Sequence, residues 1–241
     1  MKKFQFIFPA LVITVLLFNS CQKDARWSKG NIEATTVTKS GAIIEKPNLS
    51  LPDLTIDEAR LQSSAVVKTA VFKSTDCAIV EGMINSTGKH KLLRFDVATP
   101  NIGTADMFLG DPTTNPVDAN GHPLFIYSPC HRHYHFNGYA LYELLNASDV
   151  PILTGRKQAF CLEDFAKYFT NPGPSKYTCS YQGITVGWQD IYTSNLDGQW
   201  LDVTTILPGT YKLHVTINPD KSLTESNYDN NTATVPVTIS K

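Results

Sequence analysis

Half of the chain's six histidines fall within five residues, as His131, His133 and His135 in PCHRHYHFNG. On a β-strand, residues at i, i+2 and i+4 share one face, so this spacing predicts three imidazoles pointing one way, with Arg132 and Tyr134 opposite. In a straight strand the outer two Cα atoms lie about 13 Å apart. Imidazole reach covers most of that gap, and a local bend covers the rest. Three neutral imidazoles with an open fourth position fit a metal at about 2.0–2.1 Å. Zinc, copper, iron and nickel all suit imidazole, and tetragonal N/O coordination favours Cu(II). A solvated strand face does not ordinarily repeat histidine at period two beside a cysteine, so metal binding is the expected chemistry.

Two other groups carry chemical potential. The five cysteines are Cys21, Cys77, Cys130, Cys161 and Cys179. The N-terminus, MKKFQFIFPALVITVLLFNSC, has two lysines, an apolar run from Phe4 to Phe18 and a small residue before Cys21. That layout is a secretory signal, and it resembles a bacterial lipoprotein processing site with lipid on the Cys21 sulfur. The apolar run is short for a membrane span of about 20 residues. With Cys21 lipidated, four cysteines remain; an even number in an oxidising compartment predicts two disulfides, and all three pairings stay open. Near the C-terminus, Glu225, Asn227, Asn230 and Asn231 crowd oxygen donors into one loop. Calcium takes about 6–8 oxygens at about 2.3–2.6 Å.

The elements that must position these groups are short strands. SAVVKTAVF, KLLRFDV, PLFIY, YALYELL, WLDVTTI, YKLHVTI and TATVPVTI recur between polar or Gly/Pro stretches. They predict an all-β domain: a mainly antiparallel, β-sandwich-like core with long loops and little helix. Tyr211, Leu213, Val215 and Ile217 alternate with Lys212, His214 and Thr216, as do Val235, Val237 and Ile239 with their neighbours. Pro236 suggests an edge strand. LEDFAKYF at 162–169 reads as one or two helical turns. Three segments follow: a lipoprotein signal at 1–20, a lipid-anchored flexible tether at 21–50, polar and without periodicity, and the folded domain at 51–241. At 241 residues and 42% hydrophobic content the chain builds one sizeable core. A net charge of −1 without a long basic run argues against a nucleic-acid partner, and membrane contact is expected through the N-terminal lipid only.

In this frame the sequence resembles the lysyl oxidase family. LPDL at 51–54, LLRF at 92–95 and N-x-GTAD at 101–106 precede CHRHYH at 130–135, which is similar to the family's C-H-x-H-x-H copper motif. YELL at 142–145, KQAFCLED at 157–164, GWQDIY at 187–192, QWLDVT at 199–204, PGTYKLHVTINP at 208–219 and ESNYDNN at 225–231 follow in order. The resemblance implies a copper amine oxidase that converts primary amines, peptidyl lysine or small alkyl amines, to aldehydes. O2 is the oxidant, and H2O2 and ammonia are released. It also implies a self-made cofactor, lysine tyrosylquinone, from the matching Lys157 and Tyr192. The phenol is oxidised at copper, and the neutral lysine amine adds to the ring. Asp190, two residues from Tyr192, is the expected general base. The family pattern further implies Cys77–Cys130 and Cys161–Cys179 disulfides. It also implies a calcium held by the oxygen-rich loop together with Asp53 and the carbonyl of Leu54. The expected location is exported, anchored by lipid to a bacterial outer membrane on its periplasmic or cell-surface side. Two rival readings are a non-catalytic copper-binding surface lipoprotein and a β-sandwich adhesion or binding module.

Overall fold

The computed structural model describes residues 49–118, 120–155 and 161–240. In chain order the elements are α1 (Glu58–Ser64), β1 (Val66–Phe72), α2 (Cys77–Val80), β2 (Gly88–Arg94), β3 (Val97–Pro100), β4 (Met107–Gly110), β5 (Phe125–Ser128), β6 (His133–Phe136) and β7 (Ala140–Leu145). They continue with β8 (Pro151–Thr154), β9 (Ala166–Lys167), β10 (Gln182–Ile184), β11 (Trp188–Tyr192), β12 (Trp200–Asp202), β13 (Gly209–Ile217) and β14 (Thr232–Ile239). The fold is all-β, and every strand pair among the described residues is antiparallel.

The strongest alternation in the sequence forms the largest sheet, in the order β14-β13-β7-β8. Leu213 and Val215 face Val235 and Ala233 across the ladder, and all four are buried. Polar side chains take the other face, as a half-buried antiparallel sheet requires. Pro236 lies on β14, the edge strand, where its missing N–H costs no central ladder bond. Tyr142 and Leu144 of β7 have no exposed surface, and Phe95 packs edge-on against Tyr142 at 5.0 Å. Each such fully buried side chain contributes about 1.5–3 kcal/mol.

A second sheet, β3-β11-β9, places β11 at its centre. Asp190 pairs with Thr99 and Tyr192 with Val97, so both side chains share one face. A smaller apolar cluster of Phe72, Ala78, Met83, Ile84, Leu92 and Trp200 seats α2. The Cys77–Cys130 disulfide, with Cα atoms 5.7 Å apart, ties the start of α2 to the residue before His131. The Cys161–Cys179 disulfide closes the second loop, at 5.2 Å. Both pairings match those implied by the family resemblance.

Several of the quoted motifs serve the frame. Gly103 lies against LPDL so closely that a Cβ there would meet Asp53 N and Leu51 O at 2.5 Å. Asn101 binds this corner together: its Oδ1 accepts from Asp53 N (3.1 Å), and its Nδ2 donates to Ala105 O and Ile184 O, each at 2.9 Å. Asp106 accepts from Lys176 Nζ (2.6 Å) and Val186 N (3.0 Å). Asp164 accepts from Thr185 N (2.7 Å), Thr185 Oγ1 (2.6 Å) and Lys176 N (2.7 Å). The two aspartates therefore clasp the loop at 161–182. The helix expected over LEDFAKYF is absent. Residues 162–165 run irregularly, and Ala166–Lys167 pair with Gln189 and Trp188 as β9. The Asp164 clasp and the β11 pairing override the local helix propensity.

Candidate active site

The strand carrying the histidines begins at His133, not His131. His131 and Arg132 form the turn of the β5–β6 hairpin, in which Arg132 N–H donates to Ser128 O at 2.7 Å. Arg132 has φ 60°, the left-handed region that a non-glycine residue seldom occupies. The single-face argument thus holds for His133 and His135, whereas His131 arrives through the turn. The three rings still gather. Their centroids are 4.7 Å apart for His133–His135, 5.3 Å for His131–His135 and 5.9 Å for His131–His133. Rings sharing one ion through a nitrogen at about 2.0–2.1 Å have comparable separations. His133 Nδ1 lies 3.1 Å from His131 O, a carbonyl that can only accept, so Nδ1 carries the proton and Nε2 keeps its lone pair. Imidazoles grouped in this way have the donor chemistry that suits a first-row divalent metal.

The rings face a cavity of about 410 Å³. Its other walls come from the loop around the second disulfide (Cys161, Glu163, Phe165), from β11 (Asp190, Ile191, Tyr192) and from the following turn (Asn195, Leu196, Asp197). Glu163, Asp190 and Asp197 bring three carboxyl groups, and among the described lining residues there is no lysine or arginine. Phe165 and Leu196 are exposed, apolar and at the wall. Cys161, Glu163 and Cys179 also bring donor atoms within 4.8 Å of one another, but the two sulfurs are bonded to each other and are not ligands.

Tyr192 is 5% exposed, donates its hydroxyl to Cys161 O and packs edge-on against Tyr139 at 5.8 Å. Burial, and then the nearby Asp190, hold its phenol pKa well above the ordinary value. Asp190 is 2% exposed, and burial pushes its carboxyl up to about 8, against the opposing pull of its hydrogen bonds. Ile191 N–H donates to Oδ1 at 2.8 Å and Glu163 N–H to Oδ2 at 3.3 Å. Lys157 lies outside the described residues, as does Cys21.

In the oxygen-rich loop, Glu225 is buried, and burial raises its pKa. It accepts from Leu54 N (2.7 Å), Asn218 Nδ2 (2.6 Å) and Asn231 Nδ2 (2.9 Å). Asn230 Nδ2 donates to Asp53 Oδ1 at 2.9 Å. The side-chain oxygens of Asn230 and Asn231 are buried without a hydrogen-bond partner among the described residues. The fold therefore brings Asp53, Leu54, Glu225, Asn230 and Asn231 together. Asn227 is exposed and uses its side-chain oxygen on Asp229 N–H, 3.0 Å away.

Sequence reasoning missed Glu163, Phe165, Asn195, Leu196 and Asp197 as cavity residues, and Glu81 and Ser128 behind His131. Glu163 was within reach of it, since it belongs to FCLED. A second grouping, Ser86, His90 and Asp202, has the residue types of a nucleophilic triad but not its geometry. His90 Nδ1 meets Asp202 at 2.8 Å, while Nε2 lies 2.9 Å from Ser86 backbone oxygen, an acceptor. With its Nε2–H given to that carbonyl, His90 has no lone pair for the Ser86 hydroxyl.

The sequence matches the family described as "Lysyl oxidase" over residues 52–241. Lysyl oxidase homolog 2 of Xenopus tropicalis is 34% identical over 192 residues, covering 75% of this chain and 24% of that protein. The human lysyl oxidase homolog 2 is 33% identical, with 75% and 23% covered, and lysyl oxidase homolog 2A of Danio rerio is 33% identical, with 75% and 24% covered. The match thus spans about a quarter of the length of these relatives. Among solved structures, the CARDB domain of the PF1109 protein from Pyrococcus furiosus aligns at 13% identity with a TM-score of 0.29, over 79% of this chain and 92% of its own.

Proposed function

This chain belongs to the lysyl oxidase family, and from that membership we propose that it is a copper-dependent oxidase of primary amines, taking a lysine side chain or a small alkyl amine together with O2. The observation that carries the reading is the convergence of the three histidines, Tyr192 and Asp190 on one cavity. His131, His133 and His135 would hold the copper; the grouped rings and the Nε2 lone pair of His133 fit that role. Lys157 and Tyr192 would furnish the quinone. Lys157 is four residues from Cys161, whose carbonyl takes the Tyr192 hydroxyl. When bound, copper and the quinone would supply an electrophilic carbonyl and the two-electron chemistry with O2.

The residues of the chain have separate tasks. Glu163 and Asp197 present negative charge to an ammonium group, and Phe165 and Leu196 give its alkyl stem an apolar wall. Asp190 lies on the same face of β11 as Tyr192 and is the proton acceptor. Its burial raises its pKa to about 8, so it takes up a proton more readily than an ordinary aspartate. For the oxygen-rich loop we propose calcium, held by Asp53, the Leu54 carbonyl, Glu225, Asn230 and Asn231, with Asn227 contributing only after rearrangement. The two orphaned asparagine oxygens support it. Two disulfides fit an exported protein, and the location proposed is a lipid anchor at Cys21 on a bacterial outer membrane.

The test is H2O2 release from an alkyl amine by copper-loaded protein, together with mass spectrometry of the Lys157–Tyr192 peptides. A cross-linked peptide and amine-dependent H2O2 are expected. Copper uptake without either would leave the non-catalytic copper-binding lipoprotein as the better reading.

A further inference from the structure

We propose that Glu81 and Ser128 form a positioning pair that fixes the protonation and orientation of His131 as a metal donor; the inference rests on the copper reading above. The argument is an account of hydrogens. A serine hydroxyl has one proton to donate and two lone pairs. Ser128 is 6% exposed, and its Oγ donates to Glu81 Oε1. The same oxygen lies 3.0 Å from the donating backbone N–H of His131 and 3.3 Å from His131 Nδ1. Its only proton is committed to the carboxylate, so the proton between Oγ and Nδ1 belongs to the histidine. Glu81 Oε2, 3.5 Å from Nδ1, reinforces that choice. His131 is thereby held with a proton on Nδ1, and Nε2 is the nitrogen that faces the cavity, 3.6 Å from Asp197.

The pair is built into the frame. Glu81 caps α2, its N–H donating to Cys77 O at 2.8 Å, and the Cys77–Cys130 disulfide fastens that helix to the histidine turn. Ser128 closes β5 opposite His133, so one residue is registered to one donor and hydrogen-bonded to another. A carboxylate acting through a hydroxyl on Nδ1 holds the ring plane and leaves Nε2 as the nitrogen turned to the cavity. Losing such a partner typically weakens metal binding about 10–100-fold.

The experiment titrates metal-free full-length protein with Cu(II) against a competing chelator and records the electron paramagnetic resonance spectrum of the loaded protein. Glu81→Gln and Ser128→Ala are each expected to weaken Cu(II) about 10–100-fold and to change the copper hyperfine splitting. Val235→Ala, a cavity in the distant β13–β14 sheet, controls for general destabilisation and should leave the spectrum unchanged. If Glu81→Gln does not fold, Ser128→Ala, which removes one hydroxyl, decides alone. Wild-type affinity and spectrum in the folded variants would overturn the positioning pair while leaving the copper reading intact. Wild-type protein that takes up no copper would overturn both.

Discussion

Tyr192 and Asp190 stand two residues apart on β11 and meet again through their side chains, phenol hydrogen-bonded to carboxyl, at the wall of the histidine cavity. A phenol has one proton, and Tyr192 gives it to Cys161 O. The Asp190 carboxyl is a second acceptor for that proton, and the bond draws its pKa down against the larger lift of burial, which still leaves it at about 8. The acid and the phenol form one proton-sharing unit rather than two independent sites.

The first prediction concerns stability. Asp190 holds its proton in the folded protein up to about pH 8, whereas an ordinary unfolded aspartate releases it at about 3.9. Between those values the unfolded chain binds fewer protons, so stability falls as pH rises through the window and levels off above it. Melting temperatures from pH 4 to 9 should show that decline in wild type, with the Asp190→Asn variant declining less. An identical pH dependence in both would count against the raised carboxyl.

The second concerns rate. A general base must be deprotonated, so kcat/KM for an alkyl amine should climb with pH toward a plateau above about 8. Asp190→Asn should lose activity by at least about 100-fold, within the range ascribed to general base catalysis. A variant that kept the wild-type pH profile would assign the base elsewhere.

The third separates the Tyr192 ring from its hydroxyl. Tyr192→Phe retains packing against Tyr139 but leaves Cys161 O without its donor. The expected cost is about 1–3 kcal/mol of stability, with Cu(II) binding kept and amine-dependent H2O2 abolished. Denaturant titration and the peroxide assay read the two effects separately, and full activity would remove Tyr192 from the chemistry.

The fourth uses the backbone at Arg132. Its φ of 60° bends His131 toward the other two rings. Glycine takes that conformation readily and a β-branched residue does not. Arg132→Gly should bind Cu(II) like wild type, while Arg132→Val should bind it more weakly although no ligand has changed. Equal affinity in the two variants would show that the bend is dispensable.

The fifth tests the corner that LPDL makes with Gly103. A methyl group there meets backbone atoms at 2.5 Å, and backbone has little room to yield. Gly103→Ala should lose stability at or above the upper end of the about 1–3 kcal/mol typical of overpacking, read as a lowered melting temperature. A wild-type melting temperature would mean that the corner relaxes without cost.

What was legible in the sequence was whatever repeats at short range. The period-two pattern of β13 and β14 gave the largest sheet and its edge, because each residue there faces either core or solvent. Residue types at spacing two pointed to the three imidazoles that line one cavity, although the strand starts two residues late and a turn at Arg132 does the remaining work. LEDFAKYF misled because its partners, Thr185 and Trp188–Gln189, are about 20 residues away and outweigh local propensity. Glu81 and Asp197 carry no local signal at all; each meets His131 across a sequence separation of 50 or more. Asp106 and Asp164 look chemically loaded on the line of letters, yet both are occupied with holding a loop.

The bridge between Cys77 and Cys130 also sets a chronology. Until it closes, the residue next to His131 is a thiol, a soft donor that favours Cu(I) and competes with imidazole for the metal. Oxidation removes that competitor and, in the same event, fastens the helix bearing Glu81 to the histidine turn. If the histidines hold copper as proposed, sulfur chemistry would finish before metal chemistry begins. On that reading the redox state of the surroundings would set when the histidine turn is fastened for the metal.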